Sequence, residues 1–289
     1  SLREGPSAGD ELLLYQILLS TWPLTLSPDD PHGLAHYNER VWQWQLKALR
    51  EAKLDTQWAA PNEAYEQAVQ AFIEQLLLHP QGAALRAEIH AFSEQLAPAG
   101  ALNSLVQCVL KLTTPGVPDL YQGTEFWDFS LVDPDNRRPV DFALRQQQLD
   151  IHAPAPALLD DWRSGAIKQA VIARTLAMRA EHPVLFARGR YQPLHVTGPH
   201  ADRVLAFARE WQGQWAVVVV PRLSAPLLQN NPLPLINPRE WADTRLELPF
   251  DGTEHKLNGF FAHPVVTNNK AIRVSDALGS FPVNLMITT

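Results

Sequence analysis

Residues Thr113 to Phe142 read TTPGVPDLYQGTEFWDFSLVDPDNRRPVDF. Pro115-Gly116 on one side and Gln122-Gly123 on the other enclose Val117-Pro118-Asp119-Leu120-Tyr121, so the punctuation predicts a short strand there. A polar loop follows. Glu125, Trp127, Asp128, Asp133, Asp135, Asn136, Arg137, Arg138 and Asp141 crowd into it, more charge and amide than a connector needs, and segments of that kind carry function.

Upstream the pattern is helical. Leu14, Ile17 and Leu18 make an apolar stripe that stops at Trp22-Pro23. Val41, Trp44, Ala48 and Ala52 make a second, and Tyr65, Val69, Phe72, Ile73 and Leu76 a third, with Asn62 placed to cap it. Leu85, Ile89, Phe92 and Leu96 make a fourth, and a fifth helix is predicted over 100–112. Trp42, Trp44 and Trp58 read as core. Downstream, helices are predicted over 143–149 and 158–180, the second burying Ile167, Val171, Ile172, Leu176 and Met178. From Tyr191 the character turns to short β runs at 192–196, 204–209, 215–220, 244–248, 265–267, 271–274 and 283–287. The class is α+β: a helical subdomain over 1–98, a helix–strand unit with its loop and following helices over 99–188, and an antiparallel β-domain over 189–289.

With 289 residues and 46% hydrophobic content the chain can bury a sizeable core. A net charge of −7 leaves no basic footprint, which argues against nucleic acid and suits a neutral ligand. No apolar run approaches a membrane span and no signal peptide opens the chain, so the expected location is cytoplasmic. The single cysteine, Cys108, excludes an internal disulfide and sits in an apolar stretch as a small buried hydrophobe. No cofactor is expected. Asp133, Asp135 and Asn136 have some look of a calcium loop, but Arg137 and Arg138 stand where a further ligand and a glycine belong, so no metal is expected either.

The pattern PGVPDLYQGTE resembles the last barrel strand and loop of the α-amylase clan, and WDFSLVDPDNRRPVDF resembles its maltooligosyltrehalose synthase branch. The likeness extends through REAKLDTQWAAPNEAYE, GALNSLVQCVLKLT, HPVLFARGRYQPL and VVVVPRL, and so over most of the chain. The resemblance implies a TIM-barrel enzyme that converts the reducing-end α-1,4 linkage of a maltodextrin to an α,α-1,1 trehalosyl linkage. It also implies that the nucleophile, the acid and a supporting Asp in a His-Asp-Thr-Lys-Arg type motif lie earlier than this chain, because none of the ten histidines is followed by Asp. The expectation is a C-terminal portion, non-catalytic alone, whose partners are a malto-oligosaccharide and the missing N-terminal barrel portion. Apolar surface left open around residues 100–121 would favour self-association.

The candidate substrate-binding residues are Tyr121, Gln122, Glu125, Trp127, Asp133, Asp135, Asn136, Arg137 and Arg138. Arginine forks and carboxylates in alternation suit sugar hydroxyls, which both donate and accept, yet the same residues would also make an internally satisfied ion-pair cluster. Tyr121 and Trp127 offer flat faces for a glucose ring or ordinary core packing. Glu125 reads as a supporting hydrogen-bonding group. Two other functions stay open: a different hydrolase or transferase of the same clan, and a glucan-binding module with Trp211, Trp215 and Trp241 as platforms.

Overall fold

The computed structural model describes residues 5–149, 153–250, 256–259, 261, 265 and 270–288, which fall into two compact units. The first comprises residues 1–95 together with 128–140. Its helix α1 (Ala8–Thr21) starts where the Ser7 hydroxyl accepts the Asp10 N–H, and α2 (Pro31–Ala52) where Asp30 accepts the N–H of His32 with Pro31 in the first turn. α2 stops at Lys53, in the left-handed conformation with φ 58. α3 (Glu63–Leu77) is capped by Asn62, as its spacing predicts. Leu14, Leu18, Trp22, Tyr37, Val41, Val69, Ile73 and Leu77 form the core of this unit. Trp22 stands edge-on to Tyr37 and donates its indole N–H to Leu26 O at 2.9 Å. Trp42 and Trp44 are buried, but Trp58 is 55% exposed. A bridge between Gln57 and Ala60 and the Thr56 hydroxyl bond to Glu66 turn its loop outward, where the Arg50 guanidinium covers the ring at 4.9 Å.

α4 (Ala83–Thr113) runs unbroken where the sequence reading expects two helices about Pro98. A proline removes one N–H from the ladder, and the alanines and leucines around it are strong enough helix formers to continue past the gap. Of the fourth stripe only Ile89 is buried; Leu85, Phe92 and Leu96 are exposed.

The second unit comprises residues 96–127 and 141–289. In it, residues 117–121 are not a strand, contrary to expectation: a strand exists only by pairing, and among the described residues no strand lies beside them. Val117 is 98% exposed there, whereas Leu102, Leu105, Val109 and Leu112 are buried, so the apolar face of 100–112 is covered. Cys108 is buried too, and that burial raises its thiol pKa. After α5 (Phe142–Gln148), the helix expected over 158–180 is two, α6 (Ala155–Asp160) and α7 (Ala166–Glu181). Gly165 divides them at φ +87, where a Cβ would come within 2.9 Å of Phe126 Cβ and Trp127 N. Ile167, Val171, Ile172 and Met178 point inward from α7, but Leu176 is exposed.

α8 (Pro183–Arg188) leads into the strands β1 (Arg190–Pro193), β2 (Val196–Thr197), β3 (Val204–Trp211), β4 (Gln214–Pro221), β5 (Arg245–Glu247), β6 (Leu257–Gly259), β7 (Ala271–Arg273) and β8 (Asn284–Thr288). They form two antiparallel sheets, ordered β1-β3-β4-β8-β6 and β2-β5-β7. Of the run expected at 265–267, Val265 bridges to Leu257 and the other two residues lie outside the described ones. β3 and β4 join through Gln212-Gly213, both at positive φ (49 and 83), the two-residue turn that matches the twist of a hairpin.

Arg209 stands in the middle of β3 with 2% of its surface exposed. It donates to Phe186 O (2.9 Å), Gly189 O (2.9 Å) and Thr113 O (3.1 Å), while Arg179 donates to Leu112 O at 2.6 Å. The two guanidiniums thus satisfy carbonyls that the ends of α4 and α8 leave without helical partners, at the negative pole of each helix. Burial lowers both pKa values, and for Arg209 the charge of Arg179 adds to that.

Gly165→Ala should destabilise the chain by at least about 1–2 kcal/mol from the left-handed conformation alone. Gly9→Ala in α1, where a Cβ meets nothing closer than Ser7 Oγ at 3.9 Å, should instead be neutral or add about 0.5–1 kcal/mol. Urea unfolding of the two variants checks the contrast, and equal effects would contradict the packing described at Gly165.

Candidate functional site

The loop 128–140 belongs to the helical unit, and α2 holds it. Arg40 makes a two-pronged bond to the Asp135 carboxylate (Nε–Oδ1 3.0 Å, Nη2–Oδ2 2.9 Å) and donates to Phe129 O at 2.8 Å. Two turns along the same helix face, Lys47 donates to Asp133 O at 2.8 Å. The Leu131 N–H closes on Asp135 Oδ2 at 2.8 Å, and the Leu131 side chain enters the core. Burial alone would raise the Asp135 pKa. The hydrogen bonds from Arg40 and Leu131 and the charges of Arg40 and Arg138 outweigh it, holding the carboxyl below its ordinary value.

Above this base stand the polar residues that the sequence singles out. Arg138 turns back to Asp135 O (3.0 Å) and Ser130 Oγ (3.3 Å). Arg137 pairs with Asp133, four residues earlier, and its side chain is 70% exposed; Asn136 is exposed beside it. Asp133, Asp135, Arg137 and Arg138 therefore come together in one ion-pair cluster, with one guanidinium directed into solvent.

The other candidates belong to the sheet unit. Glu125 accepts from Arg145 Nε at 3.0 Å, and Arg145 also donates to Gly123 O and stacks over Phe126 at 4.8 Å. Trp127 is half-buried, its indole N–H on Trp162 O at 2.7 Å and its ring edge-on to Trp162. Lys168 donates to Phe126 O at 2.9 Å. Tyr121 and Gln122 are exposed. Trp241, one of the three platforms of the glucan-module reading, is wholly buried and presents no face to a ligand. Among the described residues no group of three or more His, Cys, Asp or Glu side chains is arranged to hold a metal ion, and no helix is long and apolar enough to cross a membrane.

No family model matches the chain. Over 263 residues, 91% of its length, it is 34% identical to a Mycobacterium tuberculosis (strain H37Rv) protein named as a maltooligosyl trehalose synthase. The chain is homologous to the maltooligosyltrehalose synthases. It spans 30% of that relative's length. The solved maltooligosyltrehalose synthase of Arthrobacter ramosus superposes with a TM-score of 0.73 at 30% identity, over 96% of this chain and 32% of that one. A Sulfolobus tokodaii structure described as a hypothetical maltooligosyl trehalose synthase superposes at 0.68; at 23% identity it bears on the fold alone.

Sequence reasoning missed Arg40, Lys47 and Arg145, the cations that hold the polar residues of this synthase homologue in place. On a helix, Arg40 and Lys47 look like an ordinary solvated face; the only signal was their two-turn spacing, which puts both on one side of α2 with the buried Trp44 between them.

The depressed Asp135 carboxyl binds fewer protons in the folded than in the unfolded chain. It therefore contributes stability above its unfolded pKa and loses that contribution as pH falls through the folded value. Arg40→Ala should cost about 2–3 kcal/mol near neutral pH, the loss of charged hydrogen bonds to a group with little access to water. It should also shrink the part of the acid-induced stability loss that begins in the ordinary carboxylate range. Urea unfolding across a pH series measures both, and a uniform offset with the acid slope unchanged would contradict the assignment.

Proposed function

We propose that the chain is the C-terminal part of a maltooligosyltrehalose synthase and serves a reaction whose carboxylates lie in the rest of that protein. The observation that carries the reading is the 34% identity over 91% of the chain to a protein of that name, together with a loop whose exposed groups are suited to polyols. In a retaining glycosyl transfer one carboxylate attacks the anomeric carbon while a carboxylic acid protonates the departing oxygen, giving a glycosyl-enzyme and a freed reducing-end glucose. That glucose then turns, and its anomeric hydroxyl attacks the same carbon, releasing the carboxylate and returning a proton to the acid. Water competes for this second step, so the protein must hold the free sugar and exclude solvent.

The loop 128–140 is our candidate for holding it. Donors from Arg137 and Asn136 and the acceptor Asp133 stand close together, as a ring of hydroxyls requires. Tyr121, Gln122, Glu125 and Trp127 are proposed as further substrate-binding residues, with a supporting role for the Arg145-bound Glu125. Exposed Val117 marks a segment suited to packing against further barrel strands, or to self-association when these are absent. A cytoplasmic location fits an intracellular glucan as substrate.

Incubating the purified chain with maltopentaose should give neither hydrolysis nor isomerisation, whereas the full-length protein that contains it should give a trehalosyl-ended product. Turnover that co-purifies with this chain alone, or a full-length protein yielding only shorter maltodextrins, would refute the proposal.

A further inference from the structure

We infer that Arg137, and not Arg138, is the arginine of this loop that contacts the sugar; the inference rests on the function proposed above. The two neighbours are held differently. Arg138 spends its fork on the loop itself: Nε on Asp135 O at 3.0 Å and 3.2 Å from the Asp135 carboxylate, and Nη2 on Ser130 Oγ at 3.3 Å. Asp135 is in turn clamped by Arg40. Turning Arg138 toward a ligand would break three contacts and loosen the base of the loop.

Arg137 has one ion-pair partner, Asp133, and keeps 70% of its side chain in solvent. Asp133 is fixed by Lys47, which holds its carbonyl at 2.8 Å and stands 3.8 Å from its carboxylate. Lys47 thus anchors Asp133, and Asp133 aims Arg137. One edge of the guanidinium faces the carboxylate and the other is available, so a donor fork and an acceptor are presented side by side.

That pairing selects the ligand class. An anion would meet the negative Asp133, while a pair of adjacent hydroxyls accepts from the fork and donates to the carboxylate at once. An exposed ion pair is weak, so opening it for such a ligand costs little. The neutral diol of a pyranose ring fits, and in the proposed reaction that ring is the freed reducing-end glucose.

The test uses the full-length protein with maltopentaose, reading the ratio of released glucose to trehalosyl product and the melting temperature of each variant. Arg137→Ala should raise the ratio about tenfold, the effect of losing one charged hydrogen bond, with an unchanged melting temperature. Arg137→Lys, which keeps the charge and loses the fork, should fall between. Arg138→Ala should lower the melting temperature and move the ratio less than Arg137→Ala does. A wild-type ratio in Arg137→Ala, or a larger rise in Arg138→Ala, would overturn the inference while leaving the proposed function standing. Absence of trehalosyl product from the unaltered protein would overturn both.

Discussion

The two-pronged bond between Arg40 and Asp135 is the constraint on which the polar loop depends. A loop carrying this many charges fully buries only Leu131 among its apolar side chains and would sample many shapes, at about 1–2 kcal/mol of backbone entropy per residue fixed. What offsets that cost is a carboxylate with little access to water that accepts from Arg40, from the Leu131 amide and from Arg138 together. Because the ion pair is screened from solvent, it is stronger than the exposed one between Arg137 and Asp133 above it. The gradient from shielded to open pairing separates the residues that build the loop from Arg137, which is left facing solvent.

The sheet unit solves a related problem with another arginine. The ends of α4 and α8 leave carbonyls inside the protein, and unpaired acceptors there are costly. Arg209 comes up from the centre of β3 and takes three of them, and Arg179 takes one more. No carboxylate is needed, since the helix ends themselves supply the partial negative charge. In both units a guanidinium ties elements distant in sequence, and in both its role is invisible to pattern reading, because partners so far along the chain leave no local trace.

What was legible followed from local rules. The apolar spacing of Leu14 and Leu18, of Tyr65, Val69 and Ile73, and the cap at Asn62 located two helices, because periodicity and capping act within a few residues. The runs around Val204 and Trp215 located the central hairpin. The misreadings came from rules that depend on context. The sequence pattern separates the stripe ending at Leu96 from a helix over 100–112 although the residues around Pro98 sustain one helix, and it runs one helix over 158–180 although a left-handed turn at Gly165 against Phe126 divides it. Residues 117–121 have the composition of a strand, but composition does not supply a neighbour to pair with. The loop motif itself was legible as a polar cluster and as a family resemblance; which of its arginines is tied down depended on Arg40 and Lys47, far upstream.

The most direct measurement of the account is amide hydrogen exchange across residues 129–138, in the unaltered chain and in Arg40→Leu. If α2 sets the shape of the loop, the Leu131 amide, bonded to Asp135 Oδ2 at 2.8 Å, and the Asp135 amide, bonded to Val132 O at 2.7 Å, exchange slowly in the unaltered chain. Both should then lose protection in the variant while the core amides of α3 keep theirs. Fast exchange of the loop amides in the unaltered chain, or protection that survives the loss of Arg40, would contradict it.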